Sequence, residues 1–255
     1  MTTNNNSVSF NNIKIENAKI LLLMENNRNA DLLSKFLDSN HLTFNNIKEN
    51  NKYDLILADN FNYQINYTKI KKLKDDQLPI LLPVILLHKR DDVVDYTSKM
   101  INIIDEYVLT PVKKDVLRSR IRSLLKTRQL TIKSFHQNDK YQKIFNNINV
   151  MLLIHKIDFE NKEFYNFDEY NNIVIKKLGY DKNNILKMKL TDIVNHNMKS
   201  PFYNYYFNKL ASNGEVSVLT EIKTNDGKLL KAQLYSKILE INNEKVILTT
   251  LAEIV

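Results

Sequence analysis

The chain lacks cysteine and tryptophan entirely, and its 255 residues include only 3 glycines and 4 prolines. Without cysteine there are no disulfide bonds, thiolate nucleophiles or cysteine-ligated metal centres. The glycines, Gly179, Gly214 and Gly227, lie far apart in the second half of the chain. A loop that cradles nucleotide phosphates needs clustered glycines, so nucleotide-binding motifs of that type are excluded as well.

Long apolar runs are also missing. None reaches the roughly 18 residues that a membrane-spanning helix needs. The first residues, MTTNNNSVSFNN, contain neither the basic nor the apolar segment of a secretion signal, so residues 1–17 are predicted to be a disordered tail. With 43% hydrophobic and 26% charged residues, the chain has the composition of a soluble protein, and it is long enough for two domains. We expect a cytoplasmic protein that does not contact a membrane.

The chain is basic, with a net charge of +8. A positive charge favours acidic partners, but the basic residues are spread along the chain and no recognition motif accompanies them. Nucleic-acid binding is therefore a secondary hypothesis. Its candidate residues lie in and just before one predicted helix: Lys113, Lys114, Arg118, Arg120, Arg122, Lys126 and Arg128.

Short apolar runs alternate with helix-like segments in the first half of the chain. Strands are predicted at residues 19–23, 43–48 and 53–58, within 80–87 from Pro83 onward, and at 106–109, and helices at residues 29–37, 93–101 and 114–128. The lysine-rich segment between the third and fourth strands is assigned no element. Strands that alternate with helices imply a parallel sheet, whose functional residues collect at the C-terminal ends of the strands.

The residues at those strand ends resemble, in order and spacing, the receiver domain of response regulators. The resemblance covers residues 18–128 and rests on the segments ILLLMEN, YDLILADNFN, PVILLHKRDD and EYVLTPVKK. It implies a flavodoxin-like, doubly wound α/β fold with a five-stranded parallel sheet. The matched positions are Asp59 at the phosphoacceptor, Met24 and Glu25 at the acidic pair, His88 at the hydroxyl residue, Thr110 at the lysine, and Tyr107 at the aromatic switch residue.

The chain departs from the receiver pattern in its chemistry. In that family, carboxylates bind Mg²⁺, one of them attacks a phosphoryl group, and a lysine and a hydroxyl neutralise the transferred oxygens. The thioether of Met24 is a poor ligand for a hard cation, and Thr110 carries no positive charge. We therefore expect a degenerate receiver with an unphosphorylated Asp59, in which Glu25 and Asp59 are left to hold Mg²⁺ weakly. A working receiver phosphorylated on Asp59 is the first alternative.

A helix is predicted to connect the two halves, with residues 129–140 as the connection. Residues 114–145 contain neither proline nor glycine, which favours one continuous helix over a break at 134–139. Side chains at alternating steps of four and three residues are apolar except at Arg128, which favours pairing with a second copy as a short coiled coil. The positions in this pattern are Ile121, Leu125, Arg128, Ile132 and Phe135.

Residues 141–255 resemble a PAS domain in the order of their predicted elements. Strands are predicted at residues 150–157 and 163–166, helices at 168–178, 181–188 and 201–211, and strands again at 216–224, 228–239 and 245–251. The segments LGYDKNNILKMKLTDIV and EIKTNDGKLLKAQL carry the likeness, with Gly179 as a helix stop and Asp181 as a helix N-cap. The resemblance implies an α+β domain with a five-stranded antiparallel sheet.

A PAS domain has a pocket between its curved sheet and its short helices, which would take a small ligand of unidentified class. The candidate lining residues are Leu153, His155, Ile175, Phe202, Tyr206, Leu219, Leu234 and Leu248. Among apolar neighbours, His155 is expected to be a hydrogen-bonded core histidine. His196 lies in a polar segment and is not expected to bind haem.

Together these features predict a signal-transduction regulator in a two-component-type pathway, with a degenerate receiver joined to a PAS sensory or dimerisation module. The sequence contains no kinase core, so we expect no enzymatic activity of its own. The expected partners are a second copy, bound through the connecting helix or the PAS domain, and a histidine kinase or effector protein.

Overall fold

The computed structural model describes residues 17–37, 41–48, 51–90 and 102–254. Contacts divide the chain into two units, Met1–Asn138 and Asp139–Val255, called the N-terminal and C-terminal units below. The helix predicted at 93–101 and nearly all of the predicted tail at 1–17 lie outside the described residues. Within the described residues, no helix combines the length and the apolar character that crossing a membrane requires.

The N-terminal unit is built around a parallel sheet with the strand order β2-β1-β3-β4-β5. Its elements are β1 (Ala18–Leu23), α1 (Asn27–Leu37), β2 (His41–Phe44), β3 (Leu55–Asp59), α2 (Asn60–Asp75), β4 (Val84–Lys89), β5 (Glu106–Thr110) and the start of α3 (Lys114–Asn147). The predicted doubly wound parallel sheet is confirmed. It is compatible with the receiver resemblance.

Both faces of the central strands are buried, as interior parallel strands require. On one face, Ile20 of β1 packs in a cluster with Leu37 of α1 and Ile121 of α3. On the other face, Leu21 of β1 packs in a second cluster with Ile70 of α2. The helices therefore lie on opposite faces of the sheet.

Helix α2 and strand β2 differ from the sequence prediction. In α2 only Tyr63 and Ile70 are buried, so its sequence shows no wide apolar stripe, and packing on the sheet stabilises it despite its many polar residues. Strand β2 ends at Phe44 and not at Lys48. The ring of Phe44, its last residue, packs edge to face with that of Tyr53 at 5.6 Å, and the Tyr53 hydroxyl accepts a hydrogen bond from the Lys48 N–H group at 2.9 Å.

The C-terminal unit contains an antiparallel sheet with the order β7-β6-β10-β9-β8. Its elements are β6 (Met151–Asp158), β7 (Glu163–Tyr170), α4 (Asn172–Leu178), α5 (Lys182–Ile185), α6 (Leu190–Ile193), α7 (Pro201–Asn213), β8 (Glu215–Lys223), β9 (Leu229–Ile241) and β10 (Glu244–Glu253). Two strands, short helices and three further strands follow in the predicted order. The predicted α+β architecture is therefore confirmed.

The prediction of a helix at 168–178 is wrong at its start. Residues 168–170 instead belong to β7, where Glu169 pairs with Ile154 and Tyr170 with Leu153 of β6. Helix α4 begins only after them, and it ends at Gly179, whose φ of 74° is the left-handed conformation that favours glycine.

Helix α3 runs without a break from Lys114 to Asn147, as the continuous-helix prediction expects. Its last turn is fixed within the C-terminal unit by Asn171, a fully buried residue between β7 and α4. The Asn171 side-chain amide donates to the carbonyl oxygens of Phe145, Ile148 and Val150 at 3.2, 3.4 and 2.8 Å. Its carbonyl oxygen accepts from the Leu152 N–H group at 3.0 Å. One side chain thus supplies donors for carbonyls that a helix end leaves unpaired.

Candidate functional site

The strand register gathers the predicted receiver-like residues at the C-terminal ends of the parallel strands. Leu23 pairs with Ala58, so Met24 and Glu25 follow β1 beside the end of β3. Asp59 ends β3 and pairs with Leu87, one residue before His88. Thr110 ends β5 and pairs with Lys89. The four strand ends meet as the parallel topology requires.

The Asp59 carboxylate is engaged by hydrogen-bond donors on both oxygens. Oδ2 accepts from the Glu25 N–H group at 2.6 Å. Oδ1 accepts from the backbone N–H of Asn62 at 2.8 Å and from its side-chain amide at 3.1 Å. Helix α2 begins immediately after Asp59, which is its N-cap. The carboxylate therefore joins the end of β1 to the first turn of α2.

Met24 and Glu25, the residues at the acidic-pair positions, provide few ligands for a cation. The half-buried side chain of Met24 packs against the apolar cluster that contains Ile20. Glu25 is exposed and contacts Asp59 through its backbone. In the part of the chain that the structure describes, no three histidine or acidic side chains are grouped to hold a metal ion. At the described strand ends, the Asp59 carboxylate already accepts three N–H hydrogen bonds, and Glu25 is the other carboxylate that the prediction assigns to Mg²⁺.

The lysine and hydroxyl positions also make structural contacts. The Thr110 hydroxyl donates to the His88 carbonyl oxygen at 3.1 Å. The His88 ring lies edge to face with Tyr107, their centroids 6.3 Å apart, and its Nδ1 is 3.2 Å from the Lys89 carbonyl oxygen. Among the residues described, no lysine or arginine forms an ion pair with Asp59. Within those residues, the bonds to the carboxylate therefore come from uncharged donors.

Several basic residues of the nucleic-acid hypothesis already have partners within the chain. Arg128 is only 5% exposed and forms an ion pair with Asp54 at 2.9 Å. Arg120 pairs with Glu106 at 2.9 Å. Arg128 cannot contact a nucleic acid from this buried position.

The predicted PAS pocket is only partly assembled. Leu153, His155, Tyr206 and Leu234 are fully buried. The other two core-facing candidates, Ile175 and Phe202, are partly buried at the margin of the same core. The structure thus brings most of the predicted lining residues to one face of the sheet.

Leu219 and Leu248 do not line this core. Leu219 is 70% exposed, because Val216 and Ile222 of the same strand supply the core-facing positions. Leu248 follows Ile247, which belongs to the core cluster, and so lies on the opposite face of β10. Both predictions are wrong for the same reason, since apolar character alone does not reveal which face of a strand is buried.

A chain of hydrogen bonds crosses the core of the C-terminal unit. His155 Nε2 lies 2.9 Å from Thr249 Oγ1, and Thr249 Oγ1 lies 2.8 Å from Ser236 Oγ. The Tyr206 hydroxyl donates to Ser236 Oγ at 2.9 Å. Burial lowers the pKa of His155 to about 4 and raises the pKa of Tyr206 to about 12. His155 is therefore a neutral, hydrogen-bonded core histidine.

Two hydroxyl residues of this chain, Ser236 and Thr249, were missed by sequence reasoning. Ser236 lies two residues after Leu234, and Thr249 two residues after Ile247, so each occupies a core-facing position of its strand. A hydroxyl residue at a core-facing position of a strand is the feature of the sequence from which both could have been predicted.

The surroundings of Tyr203 and His196 also emerge only from the structure. The Tyr203 hydroxyl is buried and has no hydrogen-bond partner among the described residues, and burial raises its pKa. His196 is exposed, and its ring stacks on Phe202 with the ring centres 4.1 Å apart.

No protein-family model matches the chain, and no curated protein matches it. Solved structures of PAS domains are similar to about half of it. A PAS domain from a two-component sensor histidine kinase has 14% identity and a TM-score of 0.40, covering 48% of this chain and 99% of that chain. The PAS domain of an HTR-like protein from Haloarcula marismortui has 13% identity and a TM-score of 0.42, covering 49% and 98%. The Rhodobacter sphaeroides LOV protein has 15% identity and a TM-score of 0.39, covering 47% and 67%. These likenesses are too distant to transfer a function to this chain.

Proposed function

We propose that this chain is a regulatory component of a two-component-type signalling pathway. In this proposal a receiver-like unit that has lost phosphoryl chemistry is joined through α3 to a PAS-like sensory unit. The protein acts through helix packing and protein contacts, and not as an enzyme. Its partners are a second copy and a histidine kinase or effector protein.

The observation that carries the proposal is the bonding of Asp59. Both carboxylate oxygens accept hydrogen bonds, and the Asn62 N–H groups that bind Oδ1 belong to the first turn of α2. Attack on a phosphoryl group needs an accessible carboxylate lone pair, for which these three hydrogen bonds compete, and a cation to balance the transferred charge. At the lysine position, Thr110 instead donates to a backbone carbonyl. A helix cap is therefore the role that this geometry favours for Asp59.

Intact-mass measurement tests this role against the alternative of a working phosphoreceiver. The purified chain is incubated with acetyl phosphate and Mg²⁺, beside an active receiver protein in the same reaction. We expect a phosphate adduct on the active receiver and an unchanged mass for this chain. An adduct on this chain that disappears in Asp59→Asn would overturn the proposal.

The exposed surface near the end of α3 supports the proposed pairing with a second copy. Tyr141 and Ile144 of α3 are 42% and 54% exposed, and Ile148, one residue past its end and bonded to the Ile144 carbonyl, is 40% exposed, so the spacing of three and four residues places them along one side. The seam predicted from the sequence is different, because Ile121, Leu125 and Arg128 are buried within the N-terminal unit. The pairing face that we propose therefore lies further along the chain.

Sedimentation velocity over a range of concentrations tests the pairing. We expect a dimer whose dissociation constant rises at least about tenfold in Ile144→Lys, since a charge replaces an apolar contact. Lys140→Ala, on the same exposed stretch, is the matched control and should leave the dimer intact. A monomer at all concentrations would exclude pairing through this face.

We further propose that the C-terminal unit works without haem. His155 Nε2 is bonded to Thr249 inside the core, and His196 lies exposed with its ring stacked on Phe202, so we expect neither to hold a buried haem iron. Native mass spectrometry of the purified protein tests this together with the subunit count. A retained haem would contradict the proposal, whereas a retained small molecule would identify the ligand class.

A further inference from the structure

Helix α2 begins at the C-terminal end of β3 and leads back towards the start of β4. Its N-cap, Asp59, is the last residue of β3, and the helix ends at Asp75. Its 16 residues make it about 24 Å long at 1.5 Å per residue. A separate hydrogen-bond network holds each end of this helix.

The network at the first end depends on one carboxylate. Asp59 binds the N–H group of Asn62 in the first turn of α2 and the N–H group of Glu25 after β1. The first N–H groups of a helix have no partners inside the helix, so loss of the cap leaves them unpaired. This end of α2 is therefore held to the sheet by the two acceptor oxygens of Asp59.

The network at the second end holds helix α3. The Gln77 N–H group donates to the Lys74 carbonyl at 3.2 Å, so Gln77 is bonded to the last turn of α2. The Gln77 side-chain oxygen accepts from Arg128 of α3 at 2.7 Å. Arg128 also donates to Asp54 at 2.9 Å and to the Leu81 carbonyl at 2.6 Å. A buried guanidinium needs all of these acceptors, because an unpaired buried charge is strongly destabilising.

We propose that α2 couples these two networks. Withdrawal of the Asp59 carboxylate from the N–H groups loosens the first turn of α2 and lets the helix shift, and Gln77 at its other end then loses its fixed position against Arg128. The contacts that fix α3 within the N-terminal unit through Arg128 weaken as a result. The coupling acts whether or not Asp59 accepts a phosphoryl group, so it goes beyond the proposed function and is tested separately from it.

Hydrogen exchange of the full chain tests the coupling with Asp59→Ala. We expect protection of the backbone amides of residues 128–132 to fall roughly fivefold, the effect of losing a helix cap. Amides of Leu55, Ile56 and Leu57 in β3 serve as the internal reference and should change less. Asp59→Asn keeps an acceptor for the Asn62 N–H group but places an amide NH₂ against the Glu25 N–H group, so protection should fall less than in Asp59→Ala.

Two further variants distinguish coupling from general destabilisation. Asp181 is the N-cap of α5 in the C-terminal unit, so Asp181→Ala makes the same chemical change elsewhere and should leave residues 128–132 unaffected. If Gln77 is the link, Asp59→Ala combined with Gln77→Ala should lose little more protection there than either single variant. Unchanged protection in Asp59→Ala, a uniform loss that includes β3, or fully additive losses would each overturn the proposal.

Discussion

Thr249 Oγ1 lies 2.9 Å from Nε2 of His155, although 94 residues separate them in the chain. The Lys156 carbonyl, 3.4 Å from Nδ1, can only accept a hydrogen bond, which assigns the ring proton to Nδ1. Nε2 therefore accepts from Thr249, Thr249 accepts from Ser236, and Ser236 accepts from Tyr206. The four side chains form a hydrogen-bond chain with one direction, and neutral His155 is its end.

The burial of His155 predicts that the C-terminal unit loses stability in acid. Burial lowers its pKa in the folded state to about 4, against an ordinary value of 6.5. As the pH falls below about 6.5, the unfolded chain binds a proton that the folded chain does not, so stability is complete above that pH and declines towards pH 4. We expect a loss on the order of 3 kcal/mol over this range.

Hydrogen exchange of the β6 amides at a series of pH values, corrected for the intrinsic exchange rate, measures this loss. His155→Gln should abolish most of the pH dependence. His196→Gln changes an exposed histidine and should retain it. An equal acid dependence in His155→Gln would show that another group is responsible.

Loss of Ser236, in the middle of the chain of hydrogen bonds, should destabilise the C-terminal unit more than loss of the Tyr206 hydroxyl at its donor end. Ser236→Ala leaves the Tyr206 and Thr249 hydroxyls without their partner in a buried site, which costs about 1–3 kcal/mol. Tyr206→Phe removes only the first donor and leaves the Ser236–Thr249–His155 bonds intact, so we expect about 1 kcal/mol. Chemical denaturation should rank Ser236→Ala as the less stable variant, with the exposed Ser217→Ala near wild type. The reverse order would contradict the central place of Ser236 in this chain of hydrogen bonds.

Removing one partner of the Arg128–Asp54 ion pair should cost more folding stability than replacing both partners with apolar side chains. Arg128→Met leaves the Asp54 carboxylate with the Lys19 N–H group but no cation, and leaves Gln77 and the Leu81 carbonyl without their donor, so we expect a loss of about 3 kcal/mol in the N-terminal unit. Arg128→Met combined with Asp54→Leu removes both charges and should recover much of that loss. Denaturation of both variants measures the difference, with the exposed Arg122→Ala as the control. Equal loss in the single and double variants would contradict this account of the pair.

Asn171 should control the order of the last turn of α3. Asn171→Ala removes a buried amide that serves three carbonyls and one N–H group, so we expect a loss of about 1–3 kcal/mol in the C-terminal unit. Amides of residues 144–147 should lose protection first. Asn146→Ala, which removes the partner of the Asn172 N–H group, is the milder control. Equal effects of the two variants would show that the Asn171 amide has no special role.

Element type followed from the sequence wherever periodicity was strong. The apolar runs of β1, β3 and β4 and the alternating strands of the C-terminal unit were predicted, since a strand buried on two faces differs visibly from one buried on a single face. Helix α2 was not, because packing on the sheet stabilises a polar segment with two buried residues. The end of β7 was misassigned because strand pairing overrode a helix-like pattern at residues 168–170.

Residue identity and local periodicity were enough to establish the absence of thiol chemistry and the two sheet types. The packed fold was needed to show that Asp59 caps a helix, that Arg128 is buried against Asp54, and that His155 is linked through hydroxyl groups to a distant helix. Those roles depend on which remote groups meet and on which face of an element is buried. A local pattern does not encode that information, because the contacts form only when helices and sheets pack together.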